Sequence, residues 1–599
     1  MFQDFTATAS PENGPPRIEA LRQKLSQAGL AGFLVPRADA HQGEYVSDHD
    51  ARLAWLTGFT GSAGFAVILA DQAALFVDGR YTLAAADQVD TGVLTLKNIP
   101  GDKLSDYLNE AVPEGGKIGF DAWLHTARQV EDLRKALRQG RTLIPIANPV
   151  DTIWEDQPPP PAGPAKPHPE HLSGKSHAVK RAEIADTLRK QGIATAVLTL
   201  PDSISWLLNI RGADLARIPV VQAFALINDA AKVQIFVDPA KIVPETAAHL
   251  GAEVAVCRPE DFAEALAGLM GKVGVDRDSA PVWISERIAQ GTAEVKWIQD
   301  PCRLPKACKT EAELSGVRQA QARDGTAMVE FLCWLDHHAP EGALSEIDVV
   351  RALEAKRRAS NALCDISFDT ICGSGPNGAI VHYRVTETTN RSIQMDSLLL
   401  VDSGAQYLDG TTDITRTIAV GQPPEGATRA FTLVLKGMIA ISRARWPAGL
   451  AGRDLDALAR QALWSAGFDY DHGTGHGVGA YLSVHEGPQN ISRRGEAELH
   501  PGMILSNEPG YYKAGAYGIR IENLVVVAAA TVPQGGDRPM LGFETLTYVP
   551  IDRRLIDPNL LTAAELEWLN NYHATVRQKL ASSLSPEAAE WLVAATAPI

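Results

Sequence analysis

The chain has 599 residues, 45% of them hydrophobic and 21% charged, so it is a globular protein that is too long for one hydrophobic core. The 72 acidic and 56 basic residues give a formal net charge of -16, which argues against a protein that binds a nucleic-acid backbone. The six cysteines contain no CxxC pair and no regular spacing, which predicts neither a thiolate zinc site nor a disulfide framework. The sequence has no apolar leader and no long apolar stretch, so we expect a cytoplasmic protein.

The N-terminal half of the chain contains a pattern of segments that occurs twice. An amphipathic helix, a glycine and a short apolar strand are predicted at 18–36 and again at 181–200. Two further segments have counterparts in the second copy: LAWLTGF at 53–59 with ISWLLNI at 204–210, and ALFVDGR at 74–80 with QIFVDPA at 234–240. We therefore predict two similar α/β domains in tandem.

Changes in composition mark the borders between the predicted domains. The segment QPPPPAGPAKPHPEHLSG at 157–174 is rich in proline, which removes amide donors and stiffens the chain, as is typical of a linker. A second border falls near 305–312, where Thr310 can cap a long helix together with Glu313. The predicted domain bounds are 1–160, 161–308 and 309–599.

The third domain begins with helical stretches and continues with segments that are typical of strands. These β-branched, apolar segments are MDSLLLVDSG, TDITRTIAVG, GMILSNEPG and GIRIENLVVV. Helices followed by a run of strands predict an α+β domain with an antiparallel sheet.

Two aspartates of this domain flank a predicted turn. Asp402 ends one predicted strand and Asp413 begins the next, and Asp409 with Gly410 supplies a turn that can fold the strands onto each other. The two carboxylates then face one space. By itself, such a hairpin is more often a turn with solvated aspartates.

Three further segments add imidazoles and two glutamates. The glycine-rich segment HGTGHGVGAYLSVHEGP, in which backbone and ligand can approach closely, contains His472, His476 and His485. Glu508 follows an apolar strand in LSNEPGYY. Arg520 and Glu522 in GIRIENLVVV are two residues apart, which predicts that they lie on one face of a strand.

A cluster of four carboxylates and one imidazole predicts a centre for two divalent metal ions. The acidic side chains would repel one another unless two such cations balanced their charge; they are Asp402, Asp413, Glu508 and Glu522. One imidazole among oxygen donors favours manganese-like ions over ions that prefer thiolates.

The order and spacing of these residues resemble the metallopeptidase domain that methionine aminopeptidase, prolidase and aminopeptidase P share, known as the pita-bread fold. That family has two aspartates eleven residues apart, then a histidine, a Glu-Pro-Gly segment and a glutamate in an Arg-x-Glu-Asn strand, and all five positions are matched here. The resemblance implies that Asp402 binds one metal and that His476 and Glu508 bind the other. It implies that Asp413 and Glu522 bridge the two metals.

Long matches in the same order along the whole chain resemble the three-domain cytosolic type of aminopeptidase P most closely. They are ADAHQGEY, GFTGSAGFAVI and VDGRY, then ISWLLNIRGADL, and then SGAQYLDGTTDITRT, HGTGHGVGAYLSVHEGP, EPGYY, YGIRIEN and ELEWLNNYH. The resemblance implies two tandem creatinase-like N-terminal α/β domains followed by a pita-bread metallopeptidase domain with a C-terminal extension. It also implies a homodimer.

The resemblance implies an activity as well. Aminopeptidase P releases the first residue of peptides that have proline second, by a hydroxide that bridges two divalent metal ions, which we expect to be Mn²⁺ here. Glu508 is implied as the general base. Five side chains are implied to bind the substrate, the three histidines also taking part in catalysis: His382, His472, His485, Arg520 and Tyr512.

Each of these five side chains has an alternative interpretation as a buried, hydrogen-bonded structural residue. Four other residues match no metal position of the family and are expected to be turn or surface features: Asp409, His337, His338 and His500.

Three other functions are left open by the sequence. Prolidase cuts dipeptides but has a single domain before the catalytic one, whereas two are predicted here. A creatinase-like hydrolase needs no metal, and therefore no acidic cluster. A binding protein on a degenerate pita-bread fold has typically lost metal ligands, and this chain has lost none.

Overall fold

The computed structural model describes all residues from 1 to 599 and divides them into two compact units. The N-terminal unit contains Thr8–Glu170 and Lys175–Lys306. The C-terminal unit contains Met1–Ala7, His171–Gly174 and Ala307–Ile599. None of the helices combines the length and the apolar character needed to cross a lipid bilayer.

The part of the chain before residue 308 alternates strands and helices. In chain order the elements are α1 (Gly14–Gln27), β1 (Gly32–Pro36), α2 (Arg52–Thr57), β2 (Phe65–Leu69), β3 (Ala73–Asp78), α3 (Thr82–Gln88), β4 (Leu94–Ile99), α4 (Leu104–Ala111), β5 (Lys117–Phe120), α5 (Ala127–Ala136), β6 (Thr142–Pro145), β7 (Lys166–Pro167), α6 (Glu170–Ser173), α7 (His177–Gln191), β8 (Thr195–Leu198), α8 (Pro201–Leu208), β9 (Ile210–Arg211), β10 (Phe224–Asn228), β11 (Val233–Phe236), α9 (Pro244–Leu250), β12 (Val254–Cys257), α10 (Phe262–Ala267), β13 (Lys272–Asp276), α11 (Val282–Ile288), β14 (Glu294–Ile298) and α12 (Arg303–Ala307).

The N-terminal unit contains two six-stranded sheets of the same topology. The order β4-β3-β2-β1-β5-β6 in the first sheet corresponds to β12-β11-β10-β8-β13-β14 in the second. In both sheets the three central strands pair antiparallel and the remaining neighbours pair in parallel. The matched helices α2 and α8 both end at a left-handed residue, Gly58 and Asn209. The predicted tandem repeat of α/β domains is therefore confirmed, while the bounds given above stay a prediction.

The C-terminal unit is a mixture of helices and antiparallel strands. In chain order the elements are α13 (Glu311–His338), α14 (Glu346–Arg358), β15 (Leu363–Ile366), β16 (Ile371–Ser374), β17 (Ser397–Ser403), β18 (Ala405–Tyr407), β19 (Gly410–Thr411), β20 (Ile414–Val420), α15 (Ala427–Ser442), β21 (Arg445–Trp446), α16 (Arg453–Trp464), β22 (Gly475–Gly477), β23 (Glu486–Ile491), β24 (Ile504–Asn507), β25 (Gly510–Lys513), β26 (Tyr517–Arg520), β27 (Asn523–Thr531), β28 (Met540–Thr545), α17 (Ala563–Leu580) and α18 (Pro586–Ala595).

The long helix α13 begins where the sequence predicts it. The hydroxyl of Thr310 accepts a hydrogen bond from the amide of Glu313 at 3.2 Å, and the Glu313 carboxylate accepts one from the Thr310 amide at 2.8 Å. This capping box satisfies two amides that the first helical turn leaves without intrahelical partners. Further along α13, Met328 and Phe331 join a buried cluster with side chains of β17 and β20.

The predicted hairpin between β17 and β20 is present, with an insertion. The two strands pair antiparallel over seven residue pairs, from Ser397 with Val420 to Ser403 with Ile414. Between them β18 and β19 form a smaller hairpin in which Tyr407 pairs with Gly410. All but one of the residues of β17 and β20 are buried, so this hairpin lies inside the unit.

The six-stranded sheet β21-β28-β27-β24-β22-β23 lies elsewhere in the unit and is also antiparallel. The prediction of one continuous strand over GIRIENLVVV is wrong, because β26 ends at Arg520 and β27 begins at Asn523. In the break, the amide of Ile521 donates to the Pro509 carbonyl and that of Glu522 to the Thr415 carbonyl. Arg520 and Glu522 therefore do not share a face of one strand.

The first seven residues belong to the C-terminal unit. The side chain of Gln3 donates to the Thr370 carbonyl at 3.2 Å and accepts from the Thr370 amide at 2.8 Å. Phe5 is buried in the cluster that contains Met328 and Phe331. The start of the chain is thus part of the core of this unit.

Candidate metal centre

Asp402 and Asp413 come from the two strands of the β17–β20 hairpin. Asp402 lies opposite Thr415 in the register, and Asp413 directly precedes β20. Their side chains belong to residues that are 8% and 3% exposed. The antiparallel pairing thus brings two carboxylates, eleven residues apart in the chain, into one buried region.

The imidazole of His476 lies between two of the carboxylates. Its Nε2 atom is 3.4 Å from Asp413 Oδ2 and 3.6 Å from Glu508 Oε1. Nδ1 donates to the carbonyl of Gly477 at 2.9 Å, which leaves Nε2 as the ring atom available to a metal. Ser506 Oγ accepts from the His476 amide at 2.9 Å and donates to Glu508 Oε1 at 3.1 Å, and so holds both residues.

Glu522 completes the cluster from the break between β26 and β27. It is 1% exposed, and its Oε2 accepts a hydrogen bond from Thr415 Oγ1 at 2.8 Å. Donor atoms of Asp413, His476 and Glu522 all lie within 4.8 Å of one another, which is close enough for them to share a metal ion.

Burial makes the ionised form of these carboxylates costly. It raises the pKa of Asp402 to about 6; Arg520 opposes this shift and Asp413 adds to it. Burial raises the pKa of Glu522 well above its usual value, and the negative charges of Asp413 and Glu508 add to this shift. Burial also raises the pKa of Glu508, against the effect of His476 and Arg520.

The surroundings of the His476 imidazole favour its charged form, in contrast to those of the carboxylates. Burial by itself would lower the pKa of His476, but the hydrogen bond to Asp413 and the charge of Glu508 raise it to about 9. Without metal, a proton on His476 therefore compensates part of the negative charge of the cluster.

The donor set fits two divalent cations. When all four carboxylates are ionised, their negative charge exceeds the positive charge of Arg520 and a protonated His476. Asp402 Oδ1 is buried and has no hydrogen-bond partner, although a buried carboxylate oxygen normally has one. A cation bound to this oxygen would remove both anomalies. We therefore assign the cluster as a metal centre that lacks thiolate ligands.

Arg520 connects this centre to a second group of side chains. Its guanidinium donates to Asp402 Oδ2 at 2.6 Å, to Tyr512 Oη at 2.6 Å and to Thr415 Oγ1 at 3.1 Å. Tyr512 Oη lies 2.9 Å from Nε2 of His472, whose Nδ1 is 2.7 Å from the Gly473 carbonyl. A chain of hydrogen bonds therefore runs from Asp402 to His472.

His485 also lies at the cluster, and His382 belongs to a segment that lies near β26. The ring of His485 is 4.3 Å from that of His476 and nearly perpendicular to it. His382 is partly buried and follows the short helix Gly375–Ala379, in which Gly378 packs tightly against Gly518 of β26. These observations bring His485 next to a metal donor and the segment of His382 next to β26.

Sequence reasoning missed Thr415 and Thr417. The hydroxyl of Thr415 donates to Glu522 and accepts from Arg520, while that of Thr417 accepts from the Arg520 amide at 3.0 Å. Both follow Asp413 at intervals of two residues, so the alternation in DITRT could have indicated one shared face of β20.

The turn aspartate lies outside the cluster. Asp409 forms a two-pronged ion pair with Arg323 of α13, with distances of 3.0 and 3.1 Å. Two histidines that match no metal position of the family are partly exposed: 40% of the side-chain area of His500 and 51% of that of His337 is accessible to solvent.

Comparison with known proteins gives full-length similarities. The chain is 40% identical to a probable Xaa-Pro aminopeptidase P of Aspergillus fumigatus over 620 aligned residues, which cover 99% of this chain and 94% of that protein. It is 38% identical to a probable Xaa-Pro aminopeptidase P of Coccidioides posadasii, with 99% and 95% covered. The chain belongs to the aminopeptidase P family. The model of metallopeptidase family M24 matches residues 315–529 of this chain, and this range contains all five of its metal-ligand candidates.

Further matches extend the aminopeptidase P likeness to the other regions. The creatinase/prolidase N-terminal domain matches twice, at 17–153 and 156–313, and the C-terminal region of M24 peptidases matches 539–599. The crystal structure of X-prolyl aminopeptidase from Caenorhabditis elegans, described as a cytosolic enzyme with a di-nuclear active site, superposes with a TM-score of 0.92. The two proteins are 33% identical, with 98% of this chain and 100% of the other covered.

Proposed function

We propose that this protein is an Xaa-Pro aminopeptidase, which hydrolyses the first peptide bond of peptides with proline second. The observation that carries this proposal is the cluster of four carboxylates and one imidazole, in which Asp402, Asp413 and Glu522 are buried and Asp402 Oδ1 lacks a hydrogen-bond partner. The full-length likeness to proteins named Xaa-Pro aminopeptidase P supports the substrate class. The protein is thus a metallo-aminopeptidase.

Two divalent metal ions fit the five donor residues. We assign Asp402 to one metal, His476 and Glu508 to the other, and Asp413 and Glu522 to both. The short mutual distances among Asp413, His476 and Glu522 support this assignment. When bound, two such cations polarise a peptide carbonyl and lower the pKa of a water from about 15.7 towards neutrality. Oxygen-rich donors with one imidazole favour Mn²⁺ as the ion.

Glu508 is the group placed to move a proton. Its Oε1 accepts from Ser506 Oγ and lies 3.6 Å from His476 Nε2, so the carboxylate is held beside the metal donors, where it can accept a proton from the attacking water. The same carboxyl group then delivers the proton to the departing proline nitrogen, which becomes a neutral amine. Ser506 keeps Glu508 in position during both transfers.

The histidines and the arginine hold the substrate. His485, perpendicular to His476, is assigned to hydrogen-bond the reacting carbonyl, where negative charge develops in the transition state. We assign His382 to the same task on the strength of its family position. His472 with Tyr512 is assigned to the proline side of the scissile bond, since their contact through Arg520 keeps them close to Asp402.

Selectivity for proline follows from the chemistry of the bond. An Xaa-Pro bond is a tertiary amide whose nitrogen has no hydrogen and whose ring fixes φ near -65°. A site that needs an N–H donor from the second residue therefore rejects it. A site with a shaped ring pocket accepts it and loses contacts when alanine replaces proline.

Peptide hydrolysis in the presence of Mn²⁺ tests the function directly. We expect rapid release of arginine from Arg-Pro-Pro and much slower release from Arg-Ala-Ala. The Asp409→Asn variant, altered in the turn ion pair, serves as an active control, and Glu508→Gln should be inactive on both peptides. Equal rates on proline and alanine peptides would contradict the substrate assignment and leave the metal chemistry intact.

Peptide length separates this function from prolidase activity. An aminopeptidase cuts Ala-Pro-Ala well, whereas faster hydrolysis of the dipeptide Ala-Pro would assign the protein as a prolidase. A protein that only binds peptides would cut neither substrate after reconstitution with Mn²⁺, Co²⁺ or Zn²⁺.

Further proposals concern the cellular setting. The C. elegans relative is described as cytosolic, and we propose the cytoplasm for this chain as well. We also propose a homodimer, and a division of the chain into domains at 1–160, 161–308 and 309–599. Light scattering of the purified protein tests the dimer.

A further inference from the structure

A second set of potential metal ligands in the C-terminal unit combines one buried cysteine, Cys333, with two exposed side chains. Cys333 and His337 are four residues apart on α13 and therefore lie on one face of the helix. Glu587 is in the first turn of α18. Cys333 Sγ is 3.9 Å from His337 Nδ1, which is 3.3 Å from Glu587 Oε1, and donor atoms of all three lie within 4.8 Å of one another.

These distances are close to those expected around a metal ion with tetrahedral coordination. With metal–sulfur bonds of about 2.3 Å and metal–nitrogen or metal–oxygen bonds of about 2.0–2.1 Å, neighbouring donors of a tetrahedron lie roughly 3.3–3.6 Å apart. The His337–Glu587 distance of 3.3 Å is already in this range, and the Cys333 Sγ–His337 Nδ1 distance of 3.9 Å is slightly longer. One sulfur, one nitrogen and one oxygen donor favour zinc-like ions over the hard cations that prefer oxygen alone.

Two hydrogen bonds outside the donor set hold α18 against α13. Glu330 accepts from the amide of Ser585, the cap of α18, at 2.7 Å, and Asp336 accepts from Trp591 Nε1 at 2.9 Å. Glu330 and Asp336 are each three residues from Cys333 on α13, so the two contacts lie on either side of it. The position of Glu587 relative to α13 is therefore fixed before any ion binds.

The surroundings are negatively charged and accessible. The carboxylates of Glu330, Asp336 and Glu587 meet only two cations, Lys356 at 3.6 Å from Glu330 and Arg554 at 3.1 Å from Asp336. The side chains of His337 and Glu587 are 51% and 74% exposed, so an ion can enter from solvent and keep a water molecule as its fourth ligand.

We propose that Cys333, His337 and Glu587 form a third metal site that binds one zinc-like ion and links α18 to α13. On binding, the Cys333 thiol releases its proton to solvent and the sulfur forms a bond to the ion, whose charge is balanced by the thiolate and the Glu587 carboxylate. This proposal differs from the expectation that the cysteines form no thiolate zinc site. The site differs in chemistry from the active centre, which has no sulfur donor.

Cobalt is the probe that separates the two centres, because only a thiolate gives the intense near-ultraviolet charge-transfer absorption of a cobalt–sulfur bond. Protein whose active centre is loaded with Mn²⁺ is titrated with Co²⁺. We expect the band to saturate at one equivalent per chain. The band disappears in Cys333→Ser, and His337→Ala or Glu587→Gln weakens binding by about tenfold or more.

Two matched controls keep the band. His338→Ala removes the neighbouring histidine, whose Nδ1 contacts the Trp334 carbonyl and whose ring stacks on Trp334. Cys364→Ser removes a partly exposed cysteine outside the site. The absence of a band in the unaltered protein, a band that survives Cys333→Ser, or equal weakening by His337→Ala and His338→Ala would overturn the proposal.

A second readout is independent of cobalt. One equivalent of Zn²⁺ raises the Tm of the Mn²⁺-loaded protein, because the ion binds the folded arrangement of the two helices. The same addition leaves the Tm of Cys333→Ser unchanged, and serine is close enough in size to cysteine for that variant to fold. An equal rise in both proteins would place the zinc elsewhere.

Discussion

Arg520 donates a 2.6 Å hydrogen bond to Asp402 Oδ2, while the other oxygen of the same carboxylate is buried and has no partner. The guanidinium thus fixes the orientation of the Asp402 carboxylate, and Oδ1 remains available to bind a metal ion. Because the same guanidinium also contacts Tyr512, one residue orders both Asp402, the proposed metal ligand, and Tyr512, the proposed substrate-side group.

Arg520→Lys is expected to lower kcat/KM by about ten- to a hundredfold. A lysine offers a point charge and cannot make the three directed contacts of the fork, and a hydrogen bond to a charged group contributes about 1.5–3 kcal/mol. Steady-state kinetics on Arg-Pro-Pro measures the effect. Arg323→Lys, in the Asp409 pair, is the matched control and should leave kcat/KM nearly unchanged, so a similar loss in both variants would refute a special role for Arg520.

Asp413→Asn and Glu522→Gln are each expected to reduce the metal content at both positions of the centre, because each carboxylate is assigned to both ions. Metal analysis of purified variants should give well under one ion per chain at limiting Mn²⁺, against two for the parent protein. Asp409→Asn should retain two. Full occupancy of either bridging variant would sink the assignment.

Metal binding is expected to release protons. The pKa of His476 in the metal-free protein is about 9, so at neutral pH its imidazole is protonated and must lose that proton before Nε2 can bind an ion. Affinity for Mn²⁺ should therefore fall as pH decreases below about 9, and fall further near 6, where Asp402 also becomes protonated. Calorimetry at pH 7.5 in buffers of different ionisation enthalpy counts the protons, and a count of zero contradicts the prediction.

His485→Ala is expected to lower kcat by roughly a hundred- to a thousandfold with nearly full metal content. The reason is that its assigned partner is the reacting carbonyl, and removal of one such donor has effects of that size. Parallel kinetics and metal analysis check this. The exposed His500→Ala serves as control, and metal loss in proportion to activity would instead make His485 a ligand.

The buried His573 predicts loss of stability in acid. Burial, with Arg416, Arg553 and Arg577, lowers its pKa to about 3, and its Nε2 accepts from the Ile551 amide at 3.2 Å. Between about 6.5 and 3 the unfolded chain binds a proton at this residue that the folded chain does not, so the free energy of unfolding decreases as pH falls through that window. Above about 6.5 this contribution is constant.

His573→Gln is expected to make that decrease shallower, because glutamine accepts the same hydrogen bond without titrating. Urea unfolding of the metal-free protein at several pH values gives the slopes. Other groups contribute equally to both proteins, so identical slopes would show that His573 has no part in the acid sensitivity.

The sequence predicts those parts of the molecule that depend on local patterns. The α13 cap and the turn of the β17–β20 hairpin follow from capping and turn residues that lie within a few positions of one another, and the tandem α/β repeat follows from a local segment pattern that occurs twice. The cluster of acidic residues could be predicted only as a set, from like charges that need cations and from the family resemblance.

The features of the site that local sequence patterns do not predict depend on hydrogen bonds between residues that are far apart in the chain. The strand break after Arg520 arises because the amides of Ile521 and Glu522 donate to the carbonyls of Pro509 and Thr415. These partners are 12 and 107 positions away in the sequence, so no local pattern indicates them. The role of Thr415, which holds Glu522 and Arg520 together, depends on the same long-range contacts. Alternating residues in a strand indicate that their side chains share one face, but they do not indicate which distant residues those side chains contact.

The place of Gln3 and Phe5 in the C-terminal unit has a consequence during synthesis on the ribosome. Gln3 and its partner Thr370 are separated by 367 positions, and at about 5–20 residues per second the partner emerges on the order of 20–70 s later. Until then residues 1–7 have no site to occupy, whereas the N-terminal unit, whose last residue is Lys306, emerges before Thr370 and can fold first. Residues 1–7 are therefore among the last parts of this unit to be ordered, and until then a chaperone or protease can bind them.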